Sequence, residues 1–497
     1  MVELKFLSVS RLSRLSLVLS VLGSCVLAGL AWLAWQLHAA TQVAVGYSAK
    51  QLCSGVFVSK MPADFVMTRD ILPRMAILGP ALGLLHMDVD EARGEARATL
   101  LAASAVAGYQ SPARGCTLHL PGKLHLSGKL NLPSKSAARA TPADNPHNRP
   151  QPRSPFVFAD SPQLMAALDA AFIEPAEGGR QTLAMLVAHR GTVVAERYAA
   201  PVTAATPLQG WSMNKSLLAT WVALLVDEGR LNPDQPVAQR LRELGAPAKV
   251  VAAVSPELTL EHLLRMRSGF DFEERYGPGS DATRMLYQDR AMWQSAARTG
   301  HAHAPGVRFN YSSGDANLTA AIWQSALPTE RYEEWLATAF ALPLELSSLV
   351  AESDASGVQV GSSYAFLSAR DWLTVGQLWL DAWHGRSALL PQAWQRAAVT
   401  PAGDDGIYRR SYGRGFWLNT GGGAFPGLPE NLFYAGGNAG QYVLVLPDQE
   451  LVVVRLGLSD VSADTGVHAF LTRLLNGLTG NVVDRSAAAP GSAAAVR

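Results

Sequence analysis

Two strongly apolar strand pairs, one at each end of a long segment, most constrain the fold of this chain. Residues 182–199, TLAMLVAHRGTVVAERYA, have alternating faces on both sides of an Arg-Gly pair, which is typical of a β-hairpin. Residues 440–458, GQYVLVLPDQELVVVRLGL, give two more strands around a Pro-Asp pair. The sequence between the two hairpins has a mostly helical pattern. It therefore predicts an α+β fold, with an antiparallel sheet flanked by helices and an inserted helical region.

The composition allows a large core and more than one folded unit. Of the 497 residues, 48% are hydrophobic, which suits a catalytic domain of about 300 residues joined to smaller parts. The formal net charge is +1, and no patch rich in Lys and Arg is interleaved with aromatic residues. Nucleic acid is therefore not expected as a partner.

An uncharged apolar run of 23 residues, 15–37, follows a basic N-terminus, residues 1–14. The run is long enough to span a bilayer and exceeds the apolar core of a cleaved signal peptide, about 7 to 15 residues, although residues 38–40 leave cleavage open. Positive charge before the run places the N-terminus in the cytoplasm. We expect a single-pass protein of the bacterial inner membrane with its catalytic domain in the periplasm; a buried helix of a soluble protein is the alternative.

The chain has three cysteines, two of which lie in the segment after the apolar run. Cys25 lies within the apolar run, which leaves Cys53 and Cys116 in the exported part. An oxidising compartment favours a disulfide between these two, and a pair of reduced buried thiols is the alternative. We expect the pair to hold together a small mixed module, residues 41–132, that contains short strand-like runs and a helix-like stretch at 90–107.

The rest of the chain divides into a linker, a large domain and a tail. Residues 133–155 are rich in Pro, Ser, Ala and Asn, which indicates a linker or a long surface loop. Residues 156–482 form one continuous domain, and residues 483–497 have the composition of a disordered tail. Neither His301 nor His303 has the neighbouring ligands of a zinc site, so no metal and no cofactor are expected.

Ser212 and Lys215 lie three residues apart at the start of a segment, 212–228, that has a helical pattern. Residues three apart share a helix face, so the lysine amine can reach the serine hydroxyl and, once burial removes its proton, act as a base. Lys215 alone of eight lysines has a serine three residues before it, yet chance would supply about 0.6 such pairs in a chain of this composition. A capping serine and a solvated lysine are the alternative.

Two loops further along the chain can complete such a site. Residues 305–315, PGVRFNYSSGD, place Tyr311 ahead of a helix, where its hydroxyl can share a proton with Lys215; packing against the core is the alternative. Residues 434–441, YAGGNAGQ, lead into a strand, and their glycines let a substrate approach backbone amides that stabilise an oxyanion. Ordinary turn chemistry is the alternative for that loop.

These segments together resemble the class C beta-lactamase-related serine hydrolases, and particularly the branch similar to 6-aminohexanoate-dimer hydrolase and related esterases. Five stretches between residues 160 and 480 follow the family's order: WSMNKSLLATWVALLVDEGRLNPDQPV, LTLEHLLRMRSGFDF, PGVRFNYSSGDANL, SARDWLTVGQLWL and YAGGNAGQYVLVLPDQELVVV. The resemblance implies a beta-lactamase/transpeptidase-like fold. It also implies that Ser212 is the nucleophile, Lys215 its base and Tyr311 the partner in proton transfer. The oxyanion hole would be formed by the backbone amides of Ser212 and Asn438.

Two departures from the family pattern narrow the substrate. Ser313 ends a motif that usually reads Tyr-x-Asn, so the amide that holds the acylamino group of a beta-lactam is missing. Ala435 opens a motif that usually begins with Lys or His and that ends at Gly437, so the usual partner of a beta-lactam carboxylate is missing too. We expect Ser313, Gly437 and Asn438 to contribute to substrate binding or to the oxyanion hole.

The favoured function is hydrolysis of a small-molecule ester or amide through an acyl-enzyme on Ser212. Two alternatives remain. One is a beta-lactamase or a D,D-peptidase that acts on beta-lactams or peptidoglycan. The other is a non-catalytic envelope protein on the same fold.

Overall fold

The computed structural model describes residues 6–120, 162–176, 178–327, 331–403, 411–460 and 463–487. The predicted linker, residues 133–155, lies outside the described residues. So does most of the predicted disordered tail. The described part of that tail, residues 483–487, is the end of a helix.

One long helix, α1 (Phe6–Cys53), runs from near the N-terminus into the folded part of the chain. Large apolar side chains such as Leu19, Leu27, Trp35 and Leu37 are exposed, and burial begins at Thr41. Among the described residues, the helical stretch Leu19–Val58 is long and apolar enough to cross a membrane, judged by length and composition. The predicted boundary near residue 37 is therefore a change of surroundings within one helix, because the second half of the helix packs against protein.

The N-terminal module combines the second half of α1 with a four-stranded antiparallel sheet. The elements after α1 are a π turn (Ser54–Val58), α2 (Ala63–Phe65), a second π turn (Val66–Ile71), α3 (Leu72–Arg74), a 3₁₀ segment (Ala76–Leu84), β1 (His86–Asp90), β2 (Glu95–Leu100), β3 (Ala103–Ser111) and β4 (Gly115–His119). The strands follow one another in the order β1-β2-β3-β4. A disulfide between Cys53 and Cys116 joins the end of α1 to β4.

The helix predicted at residues 90–107 is wrong, because this stretch forms β2 and part of β3. Ala96, Ala98 and Leu100 are buried while their neighbours in β2 are more exposed. That period of two is the period of a strand with one face covered. The alanines suggested a helix, but small side chains also suit a strand face that packs closely against α1.

The described residues of the large domain form two antiparallel sheets. Its strands are β5 (Thr182–His189), β6 (Thr192–Tyr198), β7 (Leu208–Gln209), β8 (Val350–Ala351), β9 (Ala365–Leu367), β10 (Ser411–Tyr412), β11 (Trp417–Leu418), β12 (Phe433–Gly437), β13 (Gln441–Leu446) and β14 (Leu451–Gly457). The main sheet has the order β10-β11-β12-β13-β14-β5-β6, and a small sheet has the order β7-β9-β8. Both predicted hairpins are confirmed, and β14 pairs with β5, so the two ends of the domain meet in the main sheet.

Helices cover both faces of the main sheet and fill the inserted region between β7 and β10. They are α4 (Pro162–Phe172), α5 (Asn214–Asp227), α6 (Val237–Glu243), α7 (Ala248–Ala252), α8 (Leu260–Leu264), α9 (Asp281–Gln288), α10 (Ser295–Thr299), α11 (Ser313–Ala326), α12 (Tyr332–Trp335), α13 (Ala369–Trp383), α14 (Gln392–Ala398) and α15 (Val467–Ala487). Alternate residues of β13 enter different cores: Val443 joins the core that contains α5 and α13, and Leu444 the core that contains α4 and α15. Burial on both faces explains why the strands are apolar at almost every position. The predicted α+β architecture is confirmed.

Candidate active site

Ser212 lies in a 3₁₀ turn, Trp211–Met213, that leads directly into α5. Trp211 has a φ of 49°, which is uncommon for a bulky residue. Backbone strain of this kind concentrates at functional sites, where the surrounding structure holds it in place. Ser212 is only 8% exposed, so the turn presents its hydroxyl in a nearly closed site.

The side chain of Lys215 is buried and donates hydrogen bonds to three oxygens. Its Nζ lies 2.9 Å from Ser212 Oγ, 3.1 Å from Ser313 Oγ and 3.2 Å from the carbonyl oxygen of Ser362. It also lies 4.7 Å from the centre of the Tyr311 ring. The residues predicted as nucleophile, base and proton-transfer partner are thus brought together, with Ser313 beside them.

The surroundings of Lys215 make its ammonium easier to deprotonate than that of an exposed lysine. Burial disfavours the charged ammonium and lowers the pKa of Lys215 to about 8, although the negative charges of Glu274 and Asp315 act in the opposite direction. Asp315 is itself buried, and burial raises the pKa of its carboxyl to about 7. An appreciable fraction of Lys215 is therefore unprotonated near neutral pH and can accept a proton from Ser212.

Tyr311 is fixed by aromatic packing and keeps its proton. Its ring stacks on Trp417 with 4.9 Å between ring centres and contacts Tyr412 edge-on. Burial raises the pKa of the Tyr311 hydroxyl well above its usual value, and the charge of Glu274 raises it further, while a hydrogen bond with Ser212 opposes the shift. The hydroxyl is therefore a proton donor at neutral pH and lies within reach of Ser212.

A carboxylate that the sequence did not single out supports Ser313. The backbone N–H and the hydroxyl of Ser313 both donate to Glu274, each at 2.6 Å, and the Tyr276 hydroxyl donates to the same carboxylate at 3.0 Å. A continuous line of hydrogen bonds therefore runs from Glu274 through Ser313 to Lys215. Glu274 lies two residues beyond the family-like stretch that ends at Phe272, and this closeness to a family motif is the one feature of the sequence that could have pointed to it.

In the glycine-rich loop, the backbone of Gly437 packs directly against the backbone of Gly210, which precedes the turn that contains Ser212. β12 ends at Gly437, and a Cβ atom placed there would lie 2.2 Å from the carbonyl oxygen of Gly210. No side chain fits in that space, so glycine is required for this close approach. Asn438 follows in a 3₁₀ turn, and its carbonyl accepts a hydrogen bond from Gln441.

The other candidate residues lie outside this cluster. The disulfide of Cys53 and Cys116 is in the N-terminal module. His301 accepts a hydrogen bond from the amide of Ser255 and stacks on Phe270, which is a structural role. Within the described ranges, no group of three or more His, Cys, Asp or Glu side chains is placed to hold a metal ion.

A mixed domain of this topology, with a lysine-bonded serine at the head of a buried helix, defines the class of beta-lactamase-related serine hydrolases. The chain belongs to the beta-lactamase family, whose model, described as Beta-lactamase, matches residues 163–475. The predicted family resemblance is confirmed.

Relatives of the chain agree with this assignment. A curated relative, 6-aminohexanoate-dimer hydrolase from Paenarthrobacter ureafaciens, is 27% identical over 261 residues, which cover 48% of this chain and 64% of the relative, less than two thirds of its length. A penicillin-binding protein homologue from Caulobacter crescentus has a TM-score of 0.51 at 17% identity and covers 64% of this chain and 98% of its own. EstCE1, a hydrolase with promiscuous acyltransferase activity, has a TM-score of 0.50 at 15% identity and covers 63% and 97%. At these identities the two solved structures show the fold.

Proposed function

We propose that this protein hydrolyses an ester or amide bond through an acyl-enzyme on Ser212. One observation carries the proposal: the Nζ of Lys215 lies 2.9 Å from Ser212 Oγ in surroundings that lower the lysine pKa to about 8. A serine becomes a useful nucleophile when a base of suitable pKa is hydrogen-bonded to it. In this nearly closed site, the pair of Ser212 and Lys215 is therefore suited to nucleophilic attack on a carbonyl carbon.

The proposed reaction has two halves that use the same groups. Lys215 takes the proton of Ser212 while Oγ forms a bond to the substrate carbonyl carbon. The backbone amides of Ser212 and Asn438 hold the negative charge that develops on the carbonyl oxygen. The bond to the leaving group then breaks, Tyr311 protonates that group, and Lys215 returns a proton to Tyr311. In the second half water attacks the acyl carbon and gives a proton to Lys215. The bond from that carbon to Ser212 Oγ then breaks, which releases the acid, and Lys215 returns the proton to Oγ.

The substrate proposed is a neutral ester or amide. Ala435 is a buried alanine where the family pattern has a cation, and Ser313 replaces the usual Asn, so neither usual partner of a beta-lactam is present. The carboxylate of Glu274, which is linked to Ser212 by three hydrogen bonds through Ser313 and Lys215, also disfavours an anionic substrate nearby. The name of the curated relative, a hydrolase of a 6-aminohexanoate dimer, supports an amide as one candidate.

We further propose that α1 anchors the protein in the bacterial inner membrane, with the catalytic domain in the periplasm. The exposed apolar side chains of residues 19–37 support a membrane span, and the basic residues before them support a cytoplasmic N-terminus. The disulfide of Cys53 and Cys116 supports an oxidising compartment for the rest of the chain.

Labelling with an activity-based probe tests the proposed function. A fluorophosphonate is expected to modify the full-length protein once, on the peptide that contains Ser212, and to block hydrolysis of a p-nitrophenyl ester in parallel. Heat-denatured protein is the control and should not react. Absence of the adduct on Ser212 would refute the proposal and favour a non-catalytic envelope protein, whereas stable labelling by a fluorescent penicillin would favour a beta-lactamase or a D,D-peptidase.

Gly437→Ala is expected to slow fluorophosphonate labelling of Ser212 by about 10²-fold, because the new methyl group forces β12 away from Gly210 and displaces the proposed oxyanion donors. The labelling rate at saturating probe measures the effect, and circular dichroism checks that the variant is folded.

Gly436→Ala is the matched control for this substitution. A Cβ at Gly436 would lie 3.1 Å from the edge of the Tyr434 ring, a much milder contact than the 2.2 Å between a Cβ at Gly437 and the backbone of Gly210. We expect the Gly436 variant to keep most of the labelling rate. Equal rates for the two variants would show that the close approach at Gly437 does not matter to the reaction.

A further inference from the structure

The N-terminal module contacts the large domain through one fully buried ion pair. Lys50, on the second half of α1, donates from its Nζ to the carboxylate of Glu352, and the two side chains are 1% and 0% exposed. The ammonium of Lys50 also lies 4.0 Å from the centre of the Tyr364 ring. Because a buried ion pair often adds little stability over apolar side chains of similar size, stability alone does not explain its presence.

Every donor to the Glu352 carboxylate among the described residues comes from the N-terminal module. Besides Lys50, the hydroxyl of Ser54 donates to Oε1 at 2.9 Å, and the backbone N–H of Cys116 donates to the same oxygen at 2.7 Å. Gly115 allows this approach, since a Cβ there would lie 2.5 Å from Oε1. The module therefore forms a complete binding site for a carboxylate that belongs to the large domain.

The backbone of Glu352 holds a loop that reaches the candidate active site. Its N–H donates to the carbonyl of Tyr364 at 2.8 Å, and its carbonyl accepts from the N–H of Val360 at 3.0 Å. Between those two residues lies Ser362, whose carbonyl oxygen is the third acceptor of the Lys215 amine. Glu352 thus binds the N-terminal module through its side chain and holds, through its backbone, the loop that carries the Ser362 carbonyl to Lys215.

We propose that Lys50 and Glu352 are positioning residues, through which the N-terminal module fixes the 352–364 loop so that the Ser362 carbonyl orients the Lys215 amine toward Ser212. The inference rests on the proposed function, because it assigns Lys215 the role of base. On this proposal the N-terminal module helps to orient the catalytic base, in addition to connecting the membrane helix to the large domain.

Movement of the 352–364 loop would change the pKa of Lys215. The groups that face its amine are the hydroxyls of Ser212 and Ser313, the Ser362 carbonyl, the ring of Tyr311 and the more distant carboxylates of Glu274 and Asp315. A carbonyl stabilises an ammonium more than a neutral amine. If the loop moves and this acceptor is lost, the ammonium is less stable and the pKa of Lys215 falls. The half-maximal point of the reaction then moves to lower pH.

Two variants of the full chain test the inference. In K50M/E352M both charges are replaced by apolar side chains of similar reach, and E352Q keeps one oxygen for Ser54 and Cys116 while its contact with Lys50 changes. The rate of fluorophosphonate labelling is measured against pH. For K50M/E352M we expect a rate about tenfold lower and a half-maximal pH lower by up to about one unit, with a smaller change of the same sign for E352Q.

The control is Arg114→Gln, which removes another ion pair between the module and the large domain. Arg114 Nε lies 3.6 Å from a carboxylate oxygen of Glu333 on α12, outside the 352–364 loop. We expect this variant to keep the half-maximal pH and the maximal rate of the wild type. A shift equal to that of K50M/E352M would mean that any loosening of the module has the same effect, and would overturn the inference.

The possible results separate this inference from the proposed function. If the wild type gives no adduct on Ser212, both fail. If Ser212 reacts but the folded variants keep the wild-type rate and half-maximal pH, the inference fails and the proposed function stands. A lower rate with an unchanged half-maximal pH indicates a merely structural role and also overturns the inference. Thermal unfolding checks the fold of each variant, and E352Q decides the result if K50M/E352M does not fold.

Discussion

Ser212→Ala is expected to lower kcat/KM for a p-nitrophenyl ester by about four to six orders of magnitude, to the level that binding and oxyanion stabilisation alone provide. A second hydroxyl, that of Ser313, contacts the same lysine. Ser313 Oγ lies 3.1 Å from Lys215 Nζ, almost as close as Ser212 Oγ. Both hydroxyl oxygens are therefore within hydrogen-bond distance of the amine.

The surroundings of the two hydroxyls decide in favour of Ser212. Ser313 is 0% exposed and donates its hydroxyl proton to Glu274, so its oxygen is enclosed and its proton is directed away from Lys215. Ser212 retains some exposure and directly follows the strained residue Trp211. Gly210, two residues before Ser212, is packed closely against Gly437, so the backbone of the glycine-rich loop lies beside the serine. Only Ser212 combines access for a substrate with nearby backbone donors.

Ser313→Ala is the matched control for the loss of Ser212. It removes one hydrogen bond to Lys215 and one to Glu274, and we expect about a tenfold loss, since a net hydrogen bond of about 1.4 kcal/mol corresponds to that factor. Both variants are compared by ester hydrolysis and by fluorophosphonate labelling. Loss of activity in the Ser313 variant with retention in the Ser212 variant would reverse the two roles.

The parts of the fold that the sequence predicted correctly have a strong local signal. The hairpins at residues 182–199 and 440–458 contain strongly apolar runs with turn residues at their centres, and Arg190 at one tip has the positive φ that such a turn needs. The pairing of β14 with β5 has no such local signal, because the two strands lie far apart in sequence. The order of the strands in the main sheet therefore comes from the structure.

The errors arise where tertiary contacts override local pattern. Residues 95–107 are rich in alanine, yet they form strands because a sheet there covers α1. In the site, Ser212, Lys215 and Tyr311 were predictable because motif spacing identifies them. Glu274 was not, since it reaches the site only when its loop folds back on the start of α11.

Lys215→Met is expected to lower the acylation rate by about 10³ to 10⁴-fold, because it removes the group that accepts the Ser212 proton while keeping an apolar stem of similar length. The sign of the pH dependence follows from the pKa of about 8. A base acts when neutral, so the wild-type rate should rise with pH and level off above about 8. In the methionine variant this rise should disappear. Lys215→Arg is the control, since a guanidinium keeps the charge but does not lose its proton.

The same substitution should stabilise the protein while it removes activity. Because burial lowers the pKa of Lys215 from its usual value of 10.5 to about 8, the unfolded chain binds the proton more tightly than the folded one. The difference in pKa lowers the free energy of unfolding by an amount on the order of 3 kcal/mol at any pH below about 8. This destabilisation decreases as the pH rises above 8 and is absent above the unfolded pKa. Lys215→Met removes this cost, so its melting temperature at neutral pH should exceed that of the wild type. A variant that loses both activity and stability would instead indicate that Lys215 is retained for packing, and activity in Lys215→Arg would rule out its role as the base.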